Sequence, residues 1–204
     1  MVRIKVCGLT NKQDALAASR LGVWAAGFIF YKKSPRYIPP SKAATIIRAL
    51  PKKVIPVGVF VNAPAQEIRD VIRECRLKAV QFHGDEPPVF CAQFKNVITI
   101  KALRIARASD LKKACCYATN FILLDTYQKG LFGGTGKSFD WALLRQSKLS
   151  PRKLIVSGGL NPENIHPAVA SVQAFAFDVS SGVERRPGKK CQRLMRKFFE
   201  QAKE

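Results

Sequence analysis

The chain opens on alternation. Residues 2–6 interleave Val and Ile with Arg and Lys and stop at Cys7-Gly8, which predicts a strand and the loop leaving it. From Asn11 the period changes, with Ala15, Leu16, Ala18 and Leu21 recurring at helical spacing. The exchange then repeats along the chain. Strands are predicted at 25–30, 54–61, 79–82, 97–102, 121–126, 154–156 and 174–177. Helices are predicted between them: 43–50 with Ser41 as cap, 65–73, 88–94, 109–117 capped by Ser109, 141–146 behind Asp140, and 161–170 with Asn161 capping and Pro162 first. A last helix is predicted over 189–202.

Eight strand-then-helix units, one roughly every 25 residues and without a break in composition, imply a closed parallel (β/α)8 TIM barrel. Residues 1–204 read as one such domain, with lean loops. An open doubly wound sheet is the rival, but no G-x-G-x-x-G follows the first strand.

Composition changes the picture in two ways. At 47% hydrophobic and 24% charged, the 204 residues can fill a large core. The net charge of +21, from 35 Lys+Arg against 14 Asp+Glu, allows nucleic acid, a membrane surface or small anionic substrates as partners. Six cysteines without a C-x-x-C pair or a His-rich partner make zinc unexpected. Residues 1–7 lack a long apolar secretory core, and 21–31 is too short to span a bilayer. Free thiols in a reducing cytoplasm follow as the simplest expectation.

A barrel collects the carboxyl ends of its strands on one rim. There the chain carries Cys7, Arg36, His83, Asp125, the Gly158-Gly159 pair, and Asp178 with Ser180-Ser181-Gly182. Taken singly, each has a plain structural reading: a turn-capping aspartate, an inert buried thiol, a solvated arginine, glycines that only make turns. Together they suggest more. Glycine in the loops after the seventh and eighth strands suits phosphate bound by backbone N–H groups. A thiolate at Cys7 needs nearby positive charge, and an acid at Asp125 needs a partly dry pocket that keeps its proton. Arg36, stiffened by Pro35, suits bidentate capture of a carboxylate. His83 reads as a structural hydrogen-bonder and His166 as a surface residue. The C-terminal stripe Cys191, Leu194, Met195, Phe198, Phe199 and Ala202, beside five basic residues, reads as an eighth barrel helix ahead of a membrane or partner helix.

Read in order, these stretches resemble the phosphoribosylanthranilate isomerase family of tryptophan biosynthesis. The motifs are Lys5-Val6-Cys7-Gly8-Leu9-Thr10, Ser34-Pro35-Arg36, Val57-Gly58-Val59-Phe60, Gln81-Phe82-His83-Gly84-Asp85-Glu86, Leu124-Asp125, Gly133-Gly134-Thr135-Gly136, Gly158-Gly159-Leu160-Asn161-Pro162-Glu163-Asn164 and Asp178-Val179-Ser180-Ser181-Gly182-Val183-Glu184. The resemblance implies a cofactor-free Amadori rearrangement of a small anionic phosphosugar. In it Asp125 is the general acid, Cys7 the general base and Arg36 the holder of the anthranilate carboxylate. Asp178 contacts the sugar, and Gly158, Gly159, Ser180, Ser181 and Gly182 hold phosphate. One departure stands out: where the family usually has aspartate after its Pro-Gly-x-Lys turn, this chain has Cys191, which implies a lost helix cap.

Three other readings remain. Gly134-Thr135-Gly136-Lys137-Ser138 looks like the tail of a P-loop, but position 131, where that motif needs glycine, is Leu131. A nucleic-acid-binding protein rests on charge alone, without interleaved aromatics, and is not expected. An isomerase that also serves histidine synthesis would need a broader pocket than such short loops suggest. Oligomeric state is not legible in the pattern.

Overall fold

A computed structural model describes residues 2–126 and 150–203. Eight parallel strands close into a barrel in chain order. They are β1 (Ile4–Val6), β2 (Ala25–Ile29), β3 (Ile55–Phe60), β4 (Ala79–Phe82), β5 (Ile98–Ile105), β6 (Phe121–Thr126), β7 (Leu154–Val156) and β8 (Ala176–Val179). The expected architecture is therefore present. The alternation at the N-terminus, however, runs opposite to the usual sense. Ile4 and Val6 face outward to the helices, while Lys5 points into the barrel and is fully buried. Closure explains this: β1 pairs with β8 in the register Ile4↔Phe177, Lys5↔Asp178 and Val6↔Val179. The polar inward residue of one strand, Lys5, thus meets the polar inward residue of the other, Asp178.

Period two along the strands sorts the remaining side chains. Inward, Ala25, Val57, Ala79, Ile100, Leu123, Ile155 and Ala176 form a compact layer beneath the rim. Three of these are alanines, which leaves room for the long Lys5 side chain in the same interior. Outward, Phe28, Phe82, Ile122, Leu124 and Phe177 pack against the helical shell. That shell includes α1 (Lys12–Arg20), α2 (Pro40–Arg48), α3 (Ala65–Cys75), the single turn α4 (Pro88–Cys91), α5 (Ile165–Ser171) and α6 (Gln192–Gln201). Asn11 caps α1, its Oδ1 accepting from Asp14 N at 2.9 Å.

Several expected boundaries are corrected. Helix α2 starts at Pro40 with Pro39 as N-cap, so Ser41 lies inside it; proline suits a first helical position because its missing N–H is one of the unpaired ones there. Residues Ala108–Cys116 form 3-10 turns opened by Arg107, with Asp110 accepting from Ala106 N and Arg107 N. Asn161 does not cap a helix directly: its Oδ1 accepts from Glu163 N and Asn164 N in a turn, and α5 begins later, at Ile165. Strand β8 extends to Val179, so Asp178 lies within the sheet rather than past its end. Lys189–Lys190 is not helix. It forms β10, paired antiparallel with β9 (Glu184–Arg186), and α6 follows with Cys191 as an N-cap that makes no side-chain cap hydrogen bond. The Gly133 to Gly136 motif, the P-loop resemblance, the Asp140 cap and the helix at 141–146 fall outside the described residues.

The C-terminal stripe docks on the body of the protein. Met195, Phe198 and Phe199 of α6 are buried in the outer core, and the helix packs against α1 and α5. Among the described residues no helix is long and apolar enough to cross a membrane. Phe198→Ala is expected to lower the unfolding free energy by about 3–5 kcal/mol, the cost of emptying a fully buried aromatic site. Urea unfolding checks it; a loss below about 1 kcal/mol would mean the stripe is not part of the core.

Candidate active site

Inward parity at the carboxyl ends of the strands assembles one rim cavity of about 580 Å³, a size common for small-molecule sites. Cys7 after β1, Asp125 on β6 and Asp178 on β8 line it, with Arg36, His83 and Ser180 from the loops. Ile29, Val59 and Val61 supply an apolar wall. Thus Cys7 and Asp125, 118 positions apart along the chain (125 − 7), open onto the same space.

Each side chain is held by identifiable neighbours. The Cys7 sulfur lies over β2 at Gly27, where a Cβ would stand 2.8 Å from Sγ. A larger residue at 27 would push the thiol off its seat. Beneath it, Lys5 Nζ donates to Asp178 Oδ1 at 2.9 Å, and Asp178 Oδ2 accepts from Ser157 Oγ at 3.5 Å. Burial pulls the Lys5 ammonium down, but Asp178 and Cys7 outweigh it and hold it above the ordinary lysine value. Burial also pushes the Asp178 carboxyl up, against the pull of Lys5, and the two side chains stand as an ion pair. Burial pushes the Cys7 thiol up; Lys5 opposes this most strongly, Asp178 adds to the rise, and Lys190 also pulls it down. The positive charge sought for Cys7 is thus not the diffuse surplus of surface Lys and Arg. It is two buried lysines.

Asp125 is 4% exposed, and His83 Nε2 stands 3.4 Å from its Oδ2. On the other side of the imidazole, Gln81 Nε2 lies 2.8 Å from Nδ1. With the amide nitrogen as donor, Nδ1 accepts and the ring proton sits on Nε2, which faces the carboxylate without a hydrogen bond to it. His83 therefore keeps its hydrogen-bonding role but stands in the cavity beside Asp125, which spacing alone did not suggest. His166 is exposed on α5, as expected.

Arg36 is buried, and its guanidinium is already engaged. Nε donates to both Glu184 carboxylate oxygens at 3.1 Å, and Nη2 donates to Oε2 at 2.8 Å. In the loops after β7 and β8, Gly158 and Gly159 adopt φ of 94° and 65°, values that favour glycine. Gly182 has a different reason to lack a side chain. A Cβ there would collide with the Leu160 carbonyl oxygen, so this glycine lets the two loops touch each other. Ser180 Oγ donates to the Cys7 carbonyl, tying the eighth loop to the first, and Ser181 opens the 3-10 turn Ser181–Val183.

Three contributors were missed from spacing alone: Lys5, Glu184 and Lys190. Lys5 shares a strand face with Cys7, two residues on, but β1 alone does not show that this face is the inner one. Glu184 ends a quoted motif, but its partner Arg36 is 148 residues away. Among the described residues no cluster of three or more His, Cys, Asp or Glu is arranged to hold a metal ion.

A family model described as N-(5'phosphoribosyl)anthranilate (PRA) isomerase matches residues 4–201. The chain belongs to this family. A protein of Trichlorobacter lovleyi named N-(5'-phosphoribosyl)anthranilate isomerase is 43% identical over 204 residues, covering 100% of this chain and 99% of the relative. The phosphoribosyl anthranilate isomerase of Thermotoga maritima superposes with a TM-score of 0.91 at 44% identity, covering 100% of this chain and 99% of the other. A structure of phosphoribosyl anthranilate isomerase in complex with reduced 1-(o-carboxyphenylamino)-1-deoxyribulose 5-phosphate superposes at a TM-score of 0.88 with 42% identity, over 100% of this chain and 99% of the other.

The raised thiol makes a checkable statement about this family member. Only the thiolate alkylates, so the rate at Cys7 rises with pH through its pKa. Iodoacetamide labelling, read at each cysteine by mass spectrometry because Cys115 and Cys116 are exposed, is expected to place the Cys7 midpoint above the ordinary thiol value of about 8.5. A midpoint at or below that value would contradict the dominance of burial.

Proposed function

We propose that this chain converts N-(5'-phosphoribosyl)anthranilate to 1-(2-carboxyphenylamino)-1-deoxyribulose 5-phosphate by general acid and base catalysis in tryptophan biosynthesis, with Asp125 as acid and Cys7 as base. The observation that carries the reading is the convergence of a thiol and a carboxyl group, from opposite halves of the chain, on one anion-friendly cavity. Asp125 gives its proton to the furanose ring oxygen as the C1′–O bond breaks, and the anilino nitrogen lone pair forms the Schiff base. The Cys7 thiolate takes the C2′ proton. The electron pair left behind moves to give an enolamine, which tautomerises to the ketone. The net change is an isomerisation, so no redox partner is consumed. One group must start protonated and the other deprotonated; Lys5 and Lys190 favour the Cys7 thiolate against the burial that raises its pKa, and the reaction runs through that thiolate fraction.

The ligand held by the co-crystallised relative has a carboxylate, a polyol and a phosphate. Arg36, Asp178 and Ser180 line the cavity here, while Gly158, Gly159, Ser181 and Gly182 belong to the loops after β7 and β8 and are not among its lining. Arg36 takes the carboxylate, and Asp178 contacts the sugar hydroxyls. The backbone of Gly158, Gly159, Ser180, Ser181 and Gly182 takes the phosphate through N–H groups. The excess of cations steers so anionic a substrate to the rim. The six free thiols fit a cytoplasmic enzyme.

Cys7→Ala and Asp125→Ala are each expected to lower kcat by roughly 10³-fold or more while KM changes little, because each acts on a proton in flight rather than on bound substrate. The loss of phosphoribosylanthranilate fluorescence reads the rate. Near-full activity in either variant would remove that residue from the mechanism.

A further inference from the structure

The Asp178 to Glu184 motif ends on a residue to which the mechanism gives no part. Glu184 is nonetheless held by five hydrogen bonds. Besides the three contacts from Arg36, its Oε1 accepts from Lys190 Nζ at 2.8 Å and from Gly188 N at 3.2 Å. Lys190 is buried as well, and its Nζ also donates to the Ser180 carbonyl at 3.1 Å, while its backbone N–H donates to Asp14 Oδ2 at 2.9 Å. The network therefore runs from α1 through the β9–β10 hairpin to the second rim loop.

A guanidinium has two edges that can grip a carboxylate in parallel. Glu184 uses the Nε–Nη2 edge. The Nη1–Nη2 end is the part of Arg36 left for a second carboxylate. Other contacts narrow its freedom further. Ser34 Oγ accepts from Arg36 N at 3.1 Å, and Gly8, at φ 75°, lies so close that a Cβ would stand 2.7 Å from Arg36 Cδ. The side chain is thus confined from its backbone to its tip.

We infer that Glu184, backed by Lys190, is a positioning residue that fixes the Arg36 guanidinium with its outer end toward the substrate carboxylate, and so sets the enzyme's preference for a carboxylated aryl amine. This rests on the proposed role of Arg36 as carboxylate holder. Its test separates the two. N-(5-phosphoribosyl)aniline is the substrate without its carboxylate, and the ratio of kcat/KM for the carboxylated over the carboxyl-free substrate measures what that group contributes. Arg36→Met should collapse the ratio; an unchanged ratio would overturn the role of Arg36 itself.

Glu184→Gln and Glu184→Asp should each cut the ratio by roughly 10²-fold, the scale of loss when a clamp is misplaced by about 1 Å. The loss should appear as a higher KM for the carboxylated substrate, with kcat/KM for the carboxyl-free one unchanged. Glu184→Asp keeps the charge that Arg36 and Lys190 need and shortens only the reach, so it carries the test even where Glu184→Gln does not fold. A ratio unchanged in folded Glu184→Asp, or equal losses on both substrates, would overturn the inference while leaving Arg36 in place.

Discussion

The ion pair between Lys5 and Asp178 sits at the seam where the barrel closes. Register partners on the first and last strands, these residues bury opposite charges 2.9 Å apart in the interior. Neither could remain there alone, since an unpaired buried charge costs several kcal/mol. The pair does more than join two strands. Lys5 works on the Cys7 sulfur above it, and Asp178 reaches Ser157, just past β7, and the cavity. Closing the fold and charging the site are therefore one event: the strand register that completes the barrel also supplies the base with its cation.

Around that seam, small residues let the rim loops approach. Gly27 makes room for the thiol, Gly8 for the Arg36 side chain, and Gly182 for the carbonyl of Leu160. Each absent Cβ brings together parts of the chain far apart in sequence. The outcome is a rim whose polar groups are held by packing rather than by local turns alone, which is what acid and base groups need if they are to act on one small ligand.

Much of this was legible in the residues, for physical reasons that also explain what was not. Parallel strands buried on both faces appear as apolar runs, so 79–82, 121–126 and 154–156 were found to the residue. Barrel closure then gathers strand ends by topology, which is why Cys7 and Asp125 could be paired across the chain. Helix starts were less visible because several neighbouring residues could serve: at 39–41 two prolines competed with Ser41, and the prolines prevailed. The β9–β10 hairpin was hidden because its charged residues have no apolar period and pair only after the chain turns back. Lys5 looked like the solvated half of an alternating strand. Its inward direction depends on β8, and no reading of β1 by itself contains that.

The claim that the seam ion pair holds both the fold and the site is tested most directly by a double-mutant cycle on unfolding free energy, with Lys5→Met, Asp178→Asn and the two combined. Each single variant should lose about 3–5 kcal/mol, because it strands a buried charge, while the double variant should be more stable than either. A double variant whose loss equals the sum of the single losses would show that the two residues act independently and that the seam is held by something else.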